Sequence, residues 1–227
     1  MAFFLEPAGP FGIYVIAHRS PSEALTVQLR DLSSAIRDKL GAGIVDITQG
    51  WDSLLVQYDL CQVDYVTLYH HIEALLEEIP TSSDIVASSP ELTLPVLYDG
   101  DDLPYVAQRC GLSVDEVIVL HSGSHFHVGA MGFAPGFAYL GGLDPRLDIP
   151  RRSSPRTHVP AGSVAIAAGQ SALYPQDSPG GWHLIGRCPW PLFDPSRDPA
   201  TPFTVGQHVR FKAIDEATFQ MKQGRAP

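Results

Sequence analysis

Residues 132–142 read GFAPGFAYLGG. Phe133, Phe137 and Tyr139 stand there among four glycines and a proline, and neither a helical period of 3.6 nor a strand period of 2 accommodates the pattern. The stretch opens a change of texture. The 60 residues from Gly132 to Pro191 hold nine of the 20 glycines and nine of the 20 prolines. Short apolar runs such as GSVAIAA (162–168) alternate with Pro/Gly turns, and no long amphipathic helix appears among them. That texture predicts an irregular β-barrel or sandwich with elaborate loops.

Upstream, the reading is α+β. FGIYVIA (11–17) is a short apolar strand, and Leu25, Leu29, Leu32, Ile36 and Leu40 recur at helical spacing up to a stop at Gly41. AGIVDIT and SLLVQYDL follow as strands about a Gln49-Gly50 hairpin signal. Asp64 caps a second helix whose apolar face runs from Tyr65 to Ile79 and which Pro80 ends. The order β-α-β-β-α, followed by one more strand, predicts a ferredoxin-like split unit. Ser/Pro-rich residues 80–91 read as a linker, which divides the chain into an α+β domain, 1–88, and a mainly β domain, 89–227. The second domain begins with an alternating strand at Leu92, Leu94, Val96 and Tyr98. A short helix follows, with Pro104 in its first turn and Gly111 after its end, and then a capping box at Ser113-x-x-Glu116.

At 227 residues, 44% apolar and 18% charged, the chain is long enough for two domains with substantial cores. No apolar run approaches a membrane span, and MAFFLEPAGP meets Glu6 and Pro7 too soon for a secretory leader. Cys61, Cys110 and Cys188 are odd in number and far apart, which suits reduced thiols in the cytoplasm. The net charge of −10 is uneven: residues 1–122 hold 18 acids and 5 Lys/Arg, residues 123–227 hold 7 and 10. So acidic a chain is a poor nucleic-acid binder. The local cluster Arg146, Arg151, Arg152 and Arg156 is the place that could attract a small anion.

The sequence lacks the Gly-x-x-x-x-Gly-Lys-Ser/Thr phosphate loop and the Gly-x-Ser-x-Gly elbow of serine hydrolases. Met221-Lys222 lacks the symmetric Met-Lys-Met tip of a biotin-carrying lysine. His125 and His127 would share a strand face, but a third metal ligand is missing, so no metal site is expected. His121 reads either as a packed residue one and two turns on from Val117 and Val114, or as a general acid/base at a helix C-terminus. The arginines of IPRRSSPRTHVPAGS sit in rigid, Pro-punctuated backbone. They read equally as bidentate carboxylate or phosphate holders and as partners of the acidic N-terminal half. Gly180-Gly181 would let backbone approach a ligand, with Trp182 beside it as core or as platform.

Three phrases, GFAPGFAYLGG, PRRSSPRTHVPAGSVAIAAGQSALYPQDSPGGWHLIG and PFTVGQHVRF, together resemble the 5-oxoprolinase B-subunit family. That family is also known as allophanate hydrolase subunit 1 or the KipI-type sporulation-kinase inhibitors, and is related to half of the carboxyltransferase domain of urea carboxylase. The residues HFH (125–127) depart from the family's usual tyrosine and aliphatics. The resemblance implies a ferredoxin-like domain followed by a cyclophilin-like barrel. It further implies a cytoplasmic complex with homologous C and A subunits that uses ATP to open 5-oxoproline to glutamate. Carried onto this chain, the motif positions are Gly136, Phe137, Tyr139, Arg151, Arg156, Gln170, Tyr174, Pro179, Gly180, Gly181 and Trp182. On that basis Arg151 or Arg156 would hold a carboxylate or phosphoryl group. Gln170 and the Gly180-Gly181 backbone would orient the lactam. Phe137, Tyr139 and Trp182 would exclude water, with Phe133 left in the core. The alternatives are a protein inhibitor docking on a sensor histidine kinase and a urea or allophanate carboxyltransferase component. Neither ATP nor biotin is placed on this chain.

Overall fold

The computed structural model describes residues 3–79 and 90–225, so most of the expected linker lies outside the described residues. The chain divides into two compact units, residues 1–87 and 88–227. In the first, β1 (Phe3–Pro7), β2 (Gly12–Ala17), α1 (Glu23–Leu40), β3 (Ile44–Gln49), β4 (Ser53–Tyr58) and α2 (Tyr65–Glu78) follow in order. Ser22 caps α1 by accepting from Leu25 N–H at 3.2 Å, and Asp64 caps α2 by accepting from Thr67 N–H at 2.7 Å. Leu25, Leu29, Leu32 and Ile36 of α1 and Leu68 and Ile72 of α2 are buried against Ile13, Val15, Leu54 and Val56 of the sheet.

That sheet is antiparallel, in the order β1-β2-β4-β3. The split unit expected from the sequence would fill the edge beside β2 with a strand after α2. Here FFLEP supplies that edge, folding back onto β2 as a hairpin. The next strand of the chain, β5 (Leu92–Val96), lies in the second unit's sheet, parallel to β13 (His208–Ala213).

The second unit continues with α3 (Leu103–Cys110), α4 (Val114–Gly123), β6 (Phe126–Met131), β7 (Ala138–Gly141), β8 (Arg156–Val159), β9 (Ser163–Ala167), β10 (Gln170–Leu173), β11 (Ser178–Gly180) and β12 (His183–Arg187), with α5 (Glu216–Lys222) after β13. Seven strands form one sheet in the order β12-β9-β10-β7-β6-β13-β5. Its two ends meet: Leu97, just past β5, and Arg187 of β12 exchange backbone hydrogen bonds of 2.9 and 2.8 Å. The sheet is therefore a nearly closed barrel.

Strand alternation assigns the two faces. Leu94, Val96, Phe126, Val128, Leu140, Val164, Ile166, Ile185 and Phe211 fill the inside. Residues of opposite parity, among them Ala165, Ala172, Tyr139 and Leu184, form a second apolar cluster with Phe137, Tyr174 and Trp182. On that outer side lies the two-stranded ribbon β8-β11.

Candidate functional site

The outer cluster is capped by a hollow of about 240 Å³. That lies below the roughly 300–1,000 Å³ of pockets for drug-sized ligands and suits a small molecule. Phe133, Phe137 and Tyr139 come from β7 and the loop before it, Arg151 and Pro155 from the arginine segment, and Tyr174, Pro179, Gly180, Gly181 and Trp182 from the region of β10 to β12. Phe137 is the hub of the rings, with centroids 4.8 Å from Tyr139, 5.3 Å from Tyr174, 5.3 Å from Phe133 and 6.5 Å from Trp182. A larger hollow, about 480 Å³ beside Trp190 and Lys222, contains none of the residues expected from the sequence.

Gly136 shapes the loop without lining the hollow. Its φ of +79° is in the left-handed region, and a Cβ there would stand 2.8 Å from Leu192 O and from Phe193 Cβ. The same loop corrects the placement of Phe133. Phe133 is 62% exposed with φ of +70°, a strained conformation for a bulky residue, and its ring sits edge-on to Phe137 at the rim of the hollow rather than in the core. Gln170 also stands away. It shares the outer face of β10 with Ala172 and Tyr174, but four residues from Tyr174, about 13 Å along a strand, and it does not line the hollow.

The arginines separate into two groups. Asp102, 5% exposed, accepts from Arg156 Nη1 at 2.7 Å and Nη2 at 2.8 Å, from Arg152 Nη1 at 2.9 Å and from the Leu184 N–H at 2.8 Å. Burial pushes the Asp102 pKa up, but the Arg156 hydrogen bonds, the Leu184 N–H and both guanidinium charges outweigh it and hold the carboxyl below its ordinary value. Arg156 is thus committed to a structural clamp, which corrects its expected role as ligand holder. Arg151 is different. Its guanidinium lies 5.6 Å over the Trp182 ring, is exposed, and has no carboxylate partner among the described residues.

His121 is corrected as well. It is fully buried inside the barrel, between the rings of Phe211 (4.6 Å) and Phe126 (5.2 Å), whereas the hollow is on the outer face. Nδ1 lies 2.8 Å from the Tyr98 hydroxyl and Nε2 2.9 Å from Ser171 Oγ, which donates to Ala165 O at 3.3 Å. This chain is satisfied with Tyr98 donating to Nδ1 and Nε2–H donating to Ser171, so the ring is neutral. Burial lowers its pKa to about 3.

The phenols of the hollow are neutral donors. Burial raises the pKa of Tyr139, and that of Tyr174 to about 12, against the opposing charge of Arg151. Among the described residues, no carboxylate, histidine, lysine, serine or cysteine lines the hollow. It can bind, orient and exclude water, but it holds no group able to exchange a proton near neutral pH.

Sequence reasoning missed Asp102, read Arg152 only as a member of the arginine cluster and left Phe133 in the core. Asp102 stands at the N-cap of α3, yet makes no capping bond with its side chain. An Asp before Leu-Pro in a capping position reads as a cap, and only the fold reveals that its carboxylate is turned to the arginines 50 and 54 residues on.

The second unit is thus a nearly closed seven-stranded barrel that carries an aromatic hollow with one lining arginine on its outer face. Residues 4–203 match the family described as carboxyltransferase domain, subdomain C and D, and the chain belongs to that family. It is similar to the 5-oxoprolinase B subunit of Bacillus subtilis, 37% identical over 78% of each chain. The protein of the same name from Escherichia coli O157:H7 is 45% identical over 62% of this chain and 66% of that one. Among solved structures, TTHA0988 superposes with a TM-score of 0.80 at 33% identity over 95% of this chain, which spans 40% of TTHA0988. The urea amidolyase of K. lactis shares the fold, with a TM-score of 0.79 at 20% identity over 96% of this chain and 15% of that one.

Proposed function

We propose that this chain is the B subunit of a cytoplasmic 5-oxoprolinase-type complex, in which it acts with C and A subunits in the ATP-dependent opening of 5-oxo-L-proline to L-glutamate. The names of the relatives support the complex. The observation that carries the chemistry is the hollow itself, which offers one guanidinium, neutral phenols and aromatic walls with no acid or base beside them among the described residues. In this reading the second unit is the cyclophilin-like barrel of the family. The first is its ferredoxin-like domain, with β1 in the edge position.

5-Oxoproline is a small lactam carrying one carboxylate. Amide resonance makes its ring carbonyl a poor electrophile, and phosphoryl transfer from ATP to the carbonyl oxygen is the chemistry that would activate it. In this account Arg151 receives the carboxylate, Tyr139 and Tyr174 donate to polar edges of the ring, and Phe137 and Trp182 keep water away. The groups that move protons and hold ATP belong elsewhere in the complex, so the chain alone is inactive. The kinase-inhibitor alternative draws nothing from these relatives, and the urea alternative draws on a shared fold and on distant relatives, urea amidolyases 23% and 26% identical to this chain.

The test is co-expression with the A and C subunits and assay of 5-oxoproline-dependent ADP release. Release that requires all three subunits is expected. A complete complex that releases ADP with urea but not with 5-oxoproline would replace this reading by the carboxyltransferase one.

A further inference from the structure

We infer that Asp102 sets the ligand class of the hollow: by taking up Arg152 and Arg156 it leaves Arg151 as the lining cation, and so selects a small monocarboxylate over a polyphosphate. The inference rests on the small-anion reading above and deepens it.

Three arginines fall within six positions, 151–156, and Arg151 and Pro155 of that segment line the hollow. Arg152 is tied there by its backbone N–H, which donates to Gly181 O at 2.8 Å, and Arg156 stands opposite Gly180 in the β8-β11 register. Gly180, Gly181 and the intervening Pro155 all line the hollow, so both arginines are one residue from its wall. Left unpaired, they would be its nearest additional cations.

Asp102 prevents that. Four donors converge on its two oxygens, the full acceptor capacity of a carboxylate. Both terminal nitrogens of Arg156 are consumed in a bidentate pair. The clamp keeps a net charge of +1, two guanidinium groups against one carboxylate, but both terminal nitrogens of Arg156 and Nη1 of Arg152 point at Asp102, and neither arginine lines the hollow. Towards the hollow it therefore contributes a field and no ligating hydrogen bond.

What remains is one guanidinium, held over Trp182, and two neutral phenols. That set matches one carboxylate on a small apolar ring. A di- or triphosphate needs several cations or a nest of backbone N–H groups, and Arg151 is the lining cation among the described residues. The same arrangement explains why a cluster of arginines can stand beside a site without making it a nucleotide site.

Isothermal calorimetry on the full chain tests this with 5-oxoproline and pyrophosphate as probes. The wild type should bind 5-oxoproline and show no measurable heat with pyrophosphate. Asp102→Asn removes the charge and one acceptor oxygen, which loosens both guanidinium groups, and should strengthen pyrophosphate binding at least about tenfold, the scale of one charged hydrogen bond, while 5-oxoproline changes much less. Arg151→Gln should lose 5-oxoproline and gain nothing. A purely structural Asp102 would lower the melting temperature and leave the preference between probes unchanged, and that result overturns the inference.

If Asp102→Asn does not fold, the triple variant Asp102→Leu, Arg152→Met, Arg156→Met removes the clamp in apolar form, a replacement that buried ion clusters tolerate. It must then keep 5-oxoproline binding and remain blind to pyrophosphate; loss of 5-oxoproline binding by a folded triple variant, or gain of pyrophosphate, overturns the inference. Pyrophosphate binding by the wild type, or binding of neither probe, does so too. The enzymatic reading is decided separately by ADP release, so an active complex with an unaltered anion preference in Asp102→Asn sinks only this inference.

Discussion

Replacing Asp102 by alanine should unfold the barrel unit far more readily than an ordinary charge deletion. The side chain is 7% exposed, and its partners Arg156 and Arg152 are 21% and 31% exposed, so removing the carboxylate strands two partly buried cations and the Leu184 N–H. Breaking a buried pair from one side costs about 3–5 kcal/mol, whereas an exposed pair contributes about 0–1 kcal/mol. Against a urea slope of about 2 kcal/mol/M, a loss of about 4 kcal/mol moves the midpoint down by about 2 M. Trp182 and Trp190 report this unit and Trp51 the other, so fluorescence-monitored urea unfolding in a Trp51→Phe background isolates the effect. Arg146→Ala is the control, because its pair with Asp144 joins a 63% exposed arginine to a neighbouring acid. The pH dependence has a defined sign. A carboxyl held below its ordinary value contributes stability that is fully present above the unfolded value, about 3.9, and is lost as pH falls through the lower folded value. Equal midpoints for Asp102→Ala and Arg146→Ala would refute the buried clamp.

Phe133→Gly should relieve a left-handed strain of about 1–2 kcal/mol while adding glycine's entropy of about 0.5–1 kcal/mol, so urea unfolding should show stability unchanged or slightly raised. Ligand affinity should fall in the same variant, and a core role for Phe133 would give the opposite, a large loss of stability. His121→Gln should flatten the pH dependence of stability between about pH 3 and 6.5, where His121 itself removes about 1.4 kcal/mol for each pH unit of acidification because the unfolded state binds the extra proton. Matching slopes in wild type and variant across that window count against a neutral buried imidazole. Gly180→Ala would place a methyl on the Tyr174 hydroxyl, 2.9 Å from ring carbon Cζ, and Tyr174 is only 2% exposed. Binding should weaken and stability drop by about 1–3 kcal/mol, read by calorimetry and thermal melts.

Local signals were legible in the sequence because short-range forces decide them. The Gly41 stop, the Asp64 cap, the Pro104–Gly111 helix and the Ser113–Glu116 capping box all stand as read. Partnerships were not. FFLEP pairs with β2 through a turn at Gly9-Pro10, but no local signal decides that this hairpin, and not a strand after α2, takes the sheet edge. Likewise Leu92–Val96 alternates as a strand should, but its parallel pairing with β13 spans more than a hundred residues. The site divides in the same way. Phe137, Tyr139, Tyr174, Pro179, Gly180, Gly181, Trp182 and Arg151 line one hollow. Which arginine stays open depended on Asp102, about fifty residues upstream, and spacing within the cluster carries no trace of it. His121 shows a complementary limit: helix position alone allowed a charged imidazole, and burial inside the barrel decided for a neutral one.

The most direct measurement is the KM for 5-oxoproline of the reconstituted complex carrying Arg151→Gln, with ADP release as the readout. Arg151 is exposed and makes no ion pair among the described residues, so the variant should melt with the wild type. Loss of a charged hydrogen bond to the substrate carboxylate should raise KM about ten- to a hundredfold. An unchanged KM in an active complex would place the substrate elsewhere and contradict the account.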